Sequence, residues 1–253
     1  MKLKHTIVLS TLCAGALHAD MLGGEISAGI FSHDAEGTAS YRSAISLDAQ
    51  ENLYWKDEQD ITLKAYFEHP LPFIPNIKVA YSDLSHEGRG EVYGFSWGDI
   101  VNVSGDLDNA LTLRAYDLTL YYEILDNVVE ADAGITLRYL DGSMDVRVQP
   151  FAPLPVQATY EAIDFDAVVP MLYAKGRFHI PTTDISLQFE GNFFNYDETT
   201  FYDYEISARY TFAMGVGIEA GYRTVHLDST ELEDDLLIDV DFKGPYAALV
   251  WDF

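Results

Sequence analysis

Three histidines, His33, His86 and His226, have carboxylates or a hydroxyl close by in the chain: Asp34, Asp83, Ser85 and Asp228. A hydroxyl, an imidazole and an orienting carboxylate are the parts of a hydrolytic site, in which the imidazole takes the nucleophile's proton and the acid holds the imidazole in one tautomer. The chemistry needs the three groups within hydrogen-bond reach, and no spacing here brings a nucleophile, a base and an acid together. These residues are therefore expected to be solvated loop positions, and no enzymatic activity is expected. His69 and His179 stand near Pro70 and Pro181, where turn geometry accounts for them. Gly88-Arg-Gly90 reads as loop glycine rather than a phosphate cradle, and neither a metal nor a cofactor is expected.

A second set of ionisable residues recurs at alternate positions between apolar ones: Lys64, Glu68, Lys78, Asp117, Glu123, Glu130, Asp132, Arg138, Glu190, Glu205, Arg209, Glu219 and Arg223. Their spacing belongs to β-strands with one charged and one apolar face. Tyr116, Leu118, Leu120, Tyr122 and Ile124 oppose Asp117, Thr119, Tyr121 and Glu123. After Leu125-Asp-Asn127, Val129 to Tyr139 opposes Glu130, Asp132, Thr136 and Arg138. Similar alternation runs over Gly24 to Phe31, Ile61 to Glu68, Ile77 to Tyr81, Ile185 to Phe194, Tyr202 to Phe212 and Val216 to Arg223, and a further strand is expected from about Val168 to Ile180, stopped by Pro181. About ten strands are expected, or eight if the stretch from Ser40 to Phe67 makes no crossing. Short turns, at Pro70 to Pro75, Asp126-Asn127, Pro181 to Asp184 and Met214, alternate with polar stretches expected to be long loops: Glu87 to Asn109, Asp141 to Tyr160 and Asp228 to Asp241.

No segment of the mature chain approaches a transmembrane helix, so a membrane location requires a closed barrel, which satisfies every backbone group in lipid. The charged face then looks inward, because Arg or Lys near the bilayer midplane costs about 2 to 4 kcal/mol. In so narrow a barrel side chains largely fill the lumen, and charges of both signs pair across it. Acids outnumber bases among them, so some carboxylates are expected to share a proton, reach water or meet a cation, and both a small cation-preferring pore and a sealed structural barrel fit the set.

The chain opens with two lysines, an apolar run from Ile7 to Leu17 and small residues, the layout of a secretory signal peptide cleaved after Ala19. That run is too short to span a membrane as a helix, for which about 20 residues are needed. The one cysteine, Cys13, falls within it. Residues 20–253 are expected to form a single barrel domain. The net charge of −26 argues against nucleic acid or anionic lipid headgroups as partners.

The last strand places Phe253, Trp251 and Leu249 on one face and ends on an aromatic residue, which resembles the final strand of bacterial outer-membrane β-barrels, the segment read by the barrel-assembly machinery. Phe67-Glu-His-Pro-Leu-Pro-Phe-Ile-Pro-Asn76, Tyr121-Tyr-Glu-Ile-Leu-Asp-Asn127, Gly134-Ile-Thr-Leu-Arg-Tyr-Leu-Asp-Gly142, Gly221-Tyr-Arg223 and Gly244-Pro-Tyr246 together resemble a family of small proteobacterial outer-membrane β-barrel proteins without an assigned biochemical function. The resemblance implies an all-β, up-and-down transmembrane barrel in the outer membrane, reached with periplasmic chaperones and the assembly machinery. It implies no catalytic or ligand residues. The leading functional expectation is a narrow, cation-biased, porin-like channel. The alternatives are a structural or adhesive barrel whose loops meet partners, and a hydrolase at the rim.

Overall fold

The computed structural model describes residues 23–43, 45–151, 159–197, 199–230 and 232–253. The expected signal peptide lies outside these residues. Twelve strands form one antiparallel sheet: β1 (Gly23–Tyr41), β2 (Leu47–Asp48), β3 (Glu58–Glu68), β4 (Asn76–Asp83), β5 (His86–Trp97), β6 (Ile100–Leu125), β7 (Val129–Pro150), β8 (Thr159–His179), β9 (Ile185–Tyr196), β10 (Thr199–Thr211), β11 (Val216–Ser229) and β12 (Leu236–Asp252). β12 pairs with β1, with Ile26 opposite Trp251 and Ala28 opposite Leu249, so the sheet closes on itself. Ten strands make the barrel wall. β2 and β5 belong only to its taller end, where β5 takes the place beside β6 that β4 holds lower down.

One end of the barrel has short turns and carries both ends of the described chain, with Gly24 and Phe253 exchanging backbone hydrogen bonds of 2.9 and 2.8 Å. The other end is tall. This asymmetry assigns the short-turn end to the periplasm and the tall end to the exterior.

Around the lower part runs a belt of exposed apolar side chains that includes Ile30, Leu63, Val79, Leu118, Leu120, Leu137, Leu172, Leu187, Ile206 and Ile218. Tyr81, Tyr116 and Tyr139 lie side by side at its upper margin, with ring centroids 5.2 and 6.2 Å apart, and Trp251 and Phe253 stand at its lower margin. A belt about 25 Å tall, bounded by aromatic rings, is what a bilayer demands of a barrel's outer wall. Replacing Leu137 by Arg puts a charge on this wall at a cost of about 2 to 4 kcal/mol. The variant is expected to yield much less folded protein in membrane fractions, read by the mobility difference between heated and unheated samples. Normal insertion would mean that this face does not meet lipid.

Three expectations are corrected above the belt. Glu87 to Asn109, Asp141 to Tyr160 and Asp228 to Asp241 are largely strand, not loop: β5 and the upper parts of β6, β7, β8, β11 and β12 run through them. Turns remain at Gly98-Asp99 and around Asp234-Asp235, and residues 152–158 and Glu231 lie outside the described residues.

The reason is a change of solvent along single strands. On the inner face of β7, Asp132, Thr136 and Arg138 are followed upward by Leu140, Met144, Val146 and Val148, all buried, while its outer face passes from Ile135, Leu137 and Tyr139 to Asp141, Ser143 and Asp145. β6 and β12 turn over in the same way. Below the turnover the wall is apolar outside and polar inside. Above it the wall is a water-soluble β-structure around an apolar core that includes Trp97, Leu111, Leu140, Val146, Phe165, Leu227, Ile238 and Phe242. The stretch from Ile45 to Asp57 folds into this core and buries Ala49, Leu53 and Trp55. Asn109 holds it there, accepting a 2.7 Å hydrogen bond from Trp55 Nε1 and donating one of 2.8 Å to the Leu53 carbonyl.

Candidate functional site

The charged residues of the membrane section converge on the barrel axis because successive inward positions on neighbouring strands lie close together. In the upper tier Arg138 Nε and Nη2 donate to Asp117 at 2.6 Å each, and Nη2 also donates to Asp203 at 2.7 Å. Arg223 donates to the same Asp203 at 2.9 and 2.7 Å and to Ser82 Oγ at 2.9 Å. In the middle tier Lys64 pairs with Glu205 and Lys78 with Glu190, whose second oxygen accepts from Tyr66 at 2.6 Å. Lys175 sits 4.4 Å from the centre of the Tyr66 ring and 3.7 Å from Asp132. In the lower tier Arg209 donates to Glu25 and Glu219, both at 2.7 Å, Arg177 donates to Glu25 at 2.8 Å, and Tyr246 donates to Glu219 at 2.7 Å.

Asp117, Asp132, Arg138, Glu190, Glu205, Arg209, Glu219 and Arg223 are buried in this assembly, and Lys64 is nearly so. Glu68, Glu123 and Glu130 are not part of its interior. They stand at the periplasmic mouth, lining an open cavity of about 520 Å³ with Asp252 and His179. Glu68 there accepts from Tyr121 at 3.0 Å, Glu123 from Asn76 at 3.0 Å, and Glu130 pairs with His179.

The sequence reading missed Glu25, Lys175, Arg177 and Asp203 as members. Glu25 and Asp203 lie on inward faces whose alternation was already visible, whereas Lys175 and Arg177 lie on β8, whose two faces had not been separated. With them the excess of acids disappears from the interior: Lys64, Lys78, Arg138, Lys175, Arg177, Arg209 and Arg223 face Glu25, Asp117, Asp132, Glu190, Asp203, Glu205 and Glu219. Carboxylates that meet a guanidinium or ammonium within hydrogen-bond distance satisfy charge locally. Between the Lys64, Arg138 and Glu205 side chains a gap of about 20 Å³ remains, which is room for about one water molecule.

The histidines are also placed differently from expectation. His33 and His86 are buried, each 1 % exposed, instead of lying in solvated loops. His33 Nε2 lies 3.2 Å from Asp60, its Nδ1 lies 3.1 Å from His86 Nε2, and His86 Nδ1 lies 2.9 Å from the Lys56 carbonyl. A carboxylate and a carbonyl are acceptors, so these three hydrogen bonds need three protons, one more than two neutral imidazoles carry. His86 spends one on the carbonyl, His33 spends one on His86, and the third lies between His33 and Asp60. Burial, with the electrostatic influence of the neighbouring His33 adding to it, pushes the His86 imidazole down to about 4. Phe242 and Trp55 stack on the His86 ring at 5.4 and 5.8 Å. Both His86 nitrogens are engaged, which leaves none for Ser85, whose hydroxyl bonds Asp83 instead. His226 lies on the outer wall, 2.8 Å from Asp241 and stacked on Tyr202 at 4.5 Å. No nucleophilic hydroxyl is hydrogen-bonded to its ring among the described residues.

A closed antiparallel barrel with an apolar outer belt and an ion-paired interior defines an integral outer-membrane β-barrel. The chain is similar in structure to the outer-membrane protease OmpT of Escherichia coli, with a TM-score of 0.56, 13 % identity, and 93 % of this chain and 98 % of that chain covered. At that identity the likeness concerns the fold. Weaker likenesses include the translocator domain of the autotransporter NalP of Neisseria meningitidis, with a TM-score of 0.41, 12 % identity and 98 % and 94 % of the two chains covered. Another is the attachment invasion locus protein Ail of Yersinia pestis, with a TM-score of 0.38, 12 % identity and 92 % and 100 % covered. No family model and no curated protein sequence matches the chain.

Proposed function

We propose that this protein is a non-catalytic outer-membrane barrel with a closed interior, which holds a rigid β-structured section above the membrane for contact with external partners. The observation that carries the reading is the double filling of the interior: a paired charge network at membrane depth, and an apolar core stacked on it. Ions crossing the barrel would have to break buried pairs and then enter a dry hydrophobic region, each step costing several kcal/mol. The narrow cation-biased channel therefore has less support than the closed barrel. Both His86 nitrogens are engaged and the Ser85 hydroxyl is held by Asp83, which favours a binding role over a rim hydrolase built on that pair.

In this reading residues 1–19 act as a cleaved signal peptide, and Leu249, Trp251 and Phe253 act as the assembly signal. Leu249 and Trp251 stay outward and exposed on β12, the strand that closes the barrel against β1, and Phe253, also exposed, follows its last residue. The deciding experiment is planar-bilayer recording of the refolded mature protein under a salt gradient, with folding checked by heat-dependent mobility. The expected record is silent. Reproducible, cation-selective steps from folded protein would overturn the closed-lumen reading.

A further inference from the structure

β8 is paired along its whole length on one side and along less than half of it on the other. Toward β7 the ladder runs from Thr159 to Phe178. Toward β9 it runs only from Leu172 to His179. The stretch from Thr159 to Met171 has no strand partner on that side among the described residues. Pro170, which has no N–H to offer a ladder, stands two residues above the last β8–β9 pair, where a run of pairing is readily stopped. The β9–β10 hairpin turns at Asp197, a few residues above that point, and leaves the rest of β8 as an edge on the extracellular section.

An edge strand offers a row of unmet backbone donors and acceptors, and proteins commonly blunt such an edge by bulges, proline, lysine or a covering loop. Here the ladder toward β7 is continuous through this stretch without a register shift. The edge's outward side chains include exposed Asp164 and Asp166, with Asp141 and Asp145 on the neighbouring strand; its inward ones include buried Ile163, Phe165 and Val169, and Glu161, which accepts from the Asp99 N–H of the β5–β6 turn at 3.3 Å.

We propose that this edge of β8 receives an extended basic strand of a partner protein, added as a further strand of the sheet. The proposal rests on the closed-barrel reading above and names the partner's chemistry. Side chains of an added strand alternate between the two faces. Lysine or arginine at every second position would sit beside Asp164 and Asp166, and apolar residues between them would extend the core beside Ile163 and Phe165. Charge argues against a second copy of this chain as the occupant. Pairing β8 with its own copy brings acidic residues face to face, and like charges opposite one another disfavour a ladder.

The test uses the full folded protein in detergent micelles at low salt, with a labelled peptide of about ten residues alternating lysine and valine. Two comparison peptides are an alternating glutamate and valine peptide and the lysine peptide with every second backbone amide methylated. The expected result is slowed amide hydrogen exchange confined to residues 159–168 on adding the lysine peptide. Backbone methylation, or the double variant Asp164→Lys and Asp166→Lys, is expected to weaken binding at least about tenfold.

Equal binding of the methylated peptide, or protection elsewhere on the protein, overturns strand addition. So does exchange at 159–168 that slows with protein concentration alone while sedimentation shows a dimer, since a second copy then covers the edge. Failure here and failure of the closed-barrel reading are distinguishable. The peptide can fail while the bilayer record stays silent, which removes only the partner, whereas conductance steps remove the closed lumen whatever the peptide does.

Discussion

Replacing Arg138 by methionine is expected to lower the unfolding stability of the barrel by about 3 to 5 kcal/mol, the usual cost of leaving a buried carboxylate without its partner. Arg138 is 1 % exposed, and its guanidinium gives two of its nitrogens to Asp117 and shares one of them with Asp203. Asp203 keeps Arg223 in the variant, so the stranded group is chiefly Asp117. Adding Asp117→Asn to Arg138→Met is therefore expected to recover most of the loss. Removing both charges also removes the desolvation that the pair had to offset, and Arg138 Nη1 is itself buried without a hydrogen-bond partner, so the native pair is not ideal. The measurement is the urea midpoint of the folded protein in micelles for the single and double variants. A single variant as stable as the parent would show that Asp117 is solvated in the folded protein and that the lumen is wet at this depth, contrary to the closed-barrel reading.

Phe242→Ala acts on the other filling. The Phe242 ring is 1 % exposed and packs on His86 at 5.4 Å and edge-on to His33 at 6.0 Å, in a core shared with Trp55, Leu111 and Ile238. Emptying that volume is expected to cost about 3 to 5 kcal/mol. The loss should be local: cleavage by added protease should rise steeply in β5 and upper β6, around residues 87–109, while the membrane section keeps its resistance and its heat-dependent mobility. Bilayer recordings should remain silent, because the charge network below is untouched. Loss of the membrane section at the same denaturant concentration would show that the two sections unfold as one unit, and that the apolar core is not an independent layer.

The lower half of the barrel was legible because each strand there separates lipid from a polar interior and alternates cleanly. Leu118, Leu120, Ile135 and Leu137 on one side and Asp117, Thr119, Thr136 and Arg138 on the other read directly as two faces. Above the belt the same period of two continues, but the apolar set shifts by one position: on β7 it moves from Ile135, Leu137 and Tyr139 to Leu140, Met144, Val146 and Val148. A half-turn in phase breaks any single alternation template, and with Gly142 and Asp145 nearby the stretch looked like polar loop. His33 and His86 were misplaced for the same reason, since they stand just where the inner face passes from charged to apolar, and their partners Asp60 and Lys56 come from a segment that showed little alternation.

The charge balance of the lumen was beyond sequence reading for a different reason. Pairs such as Lys78 with Glu190, Lys64 with Glu205 and Arg209 with Glu25 join residues more than a hundred positions apart. Their contacts depend on closure of β12 onto β1 and on the stagger of the ten strands.

By itself the sequence determined that the protein is a β-barrel with one lipid-compatible wall, where its turns fall at the periplasmic end, and which positions along each lower strand are charged. Those properties are local, set by the two-residue period and by proline and polar turns. Only the tertiary structure decided that the strands continue far above the membrane, that paired charges occupy the lower interior and apolar side chains the upper one, and that β8 pairs with β9 over less than half of its length. Those properties depend on which surfaces meet water, lipid or one another, and that is settled when distant strands pair.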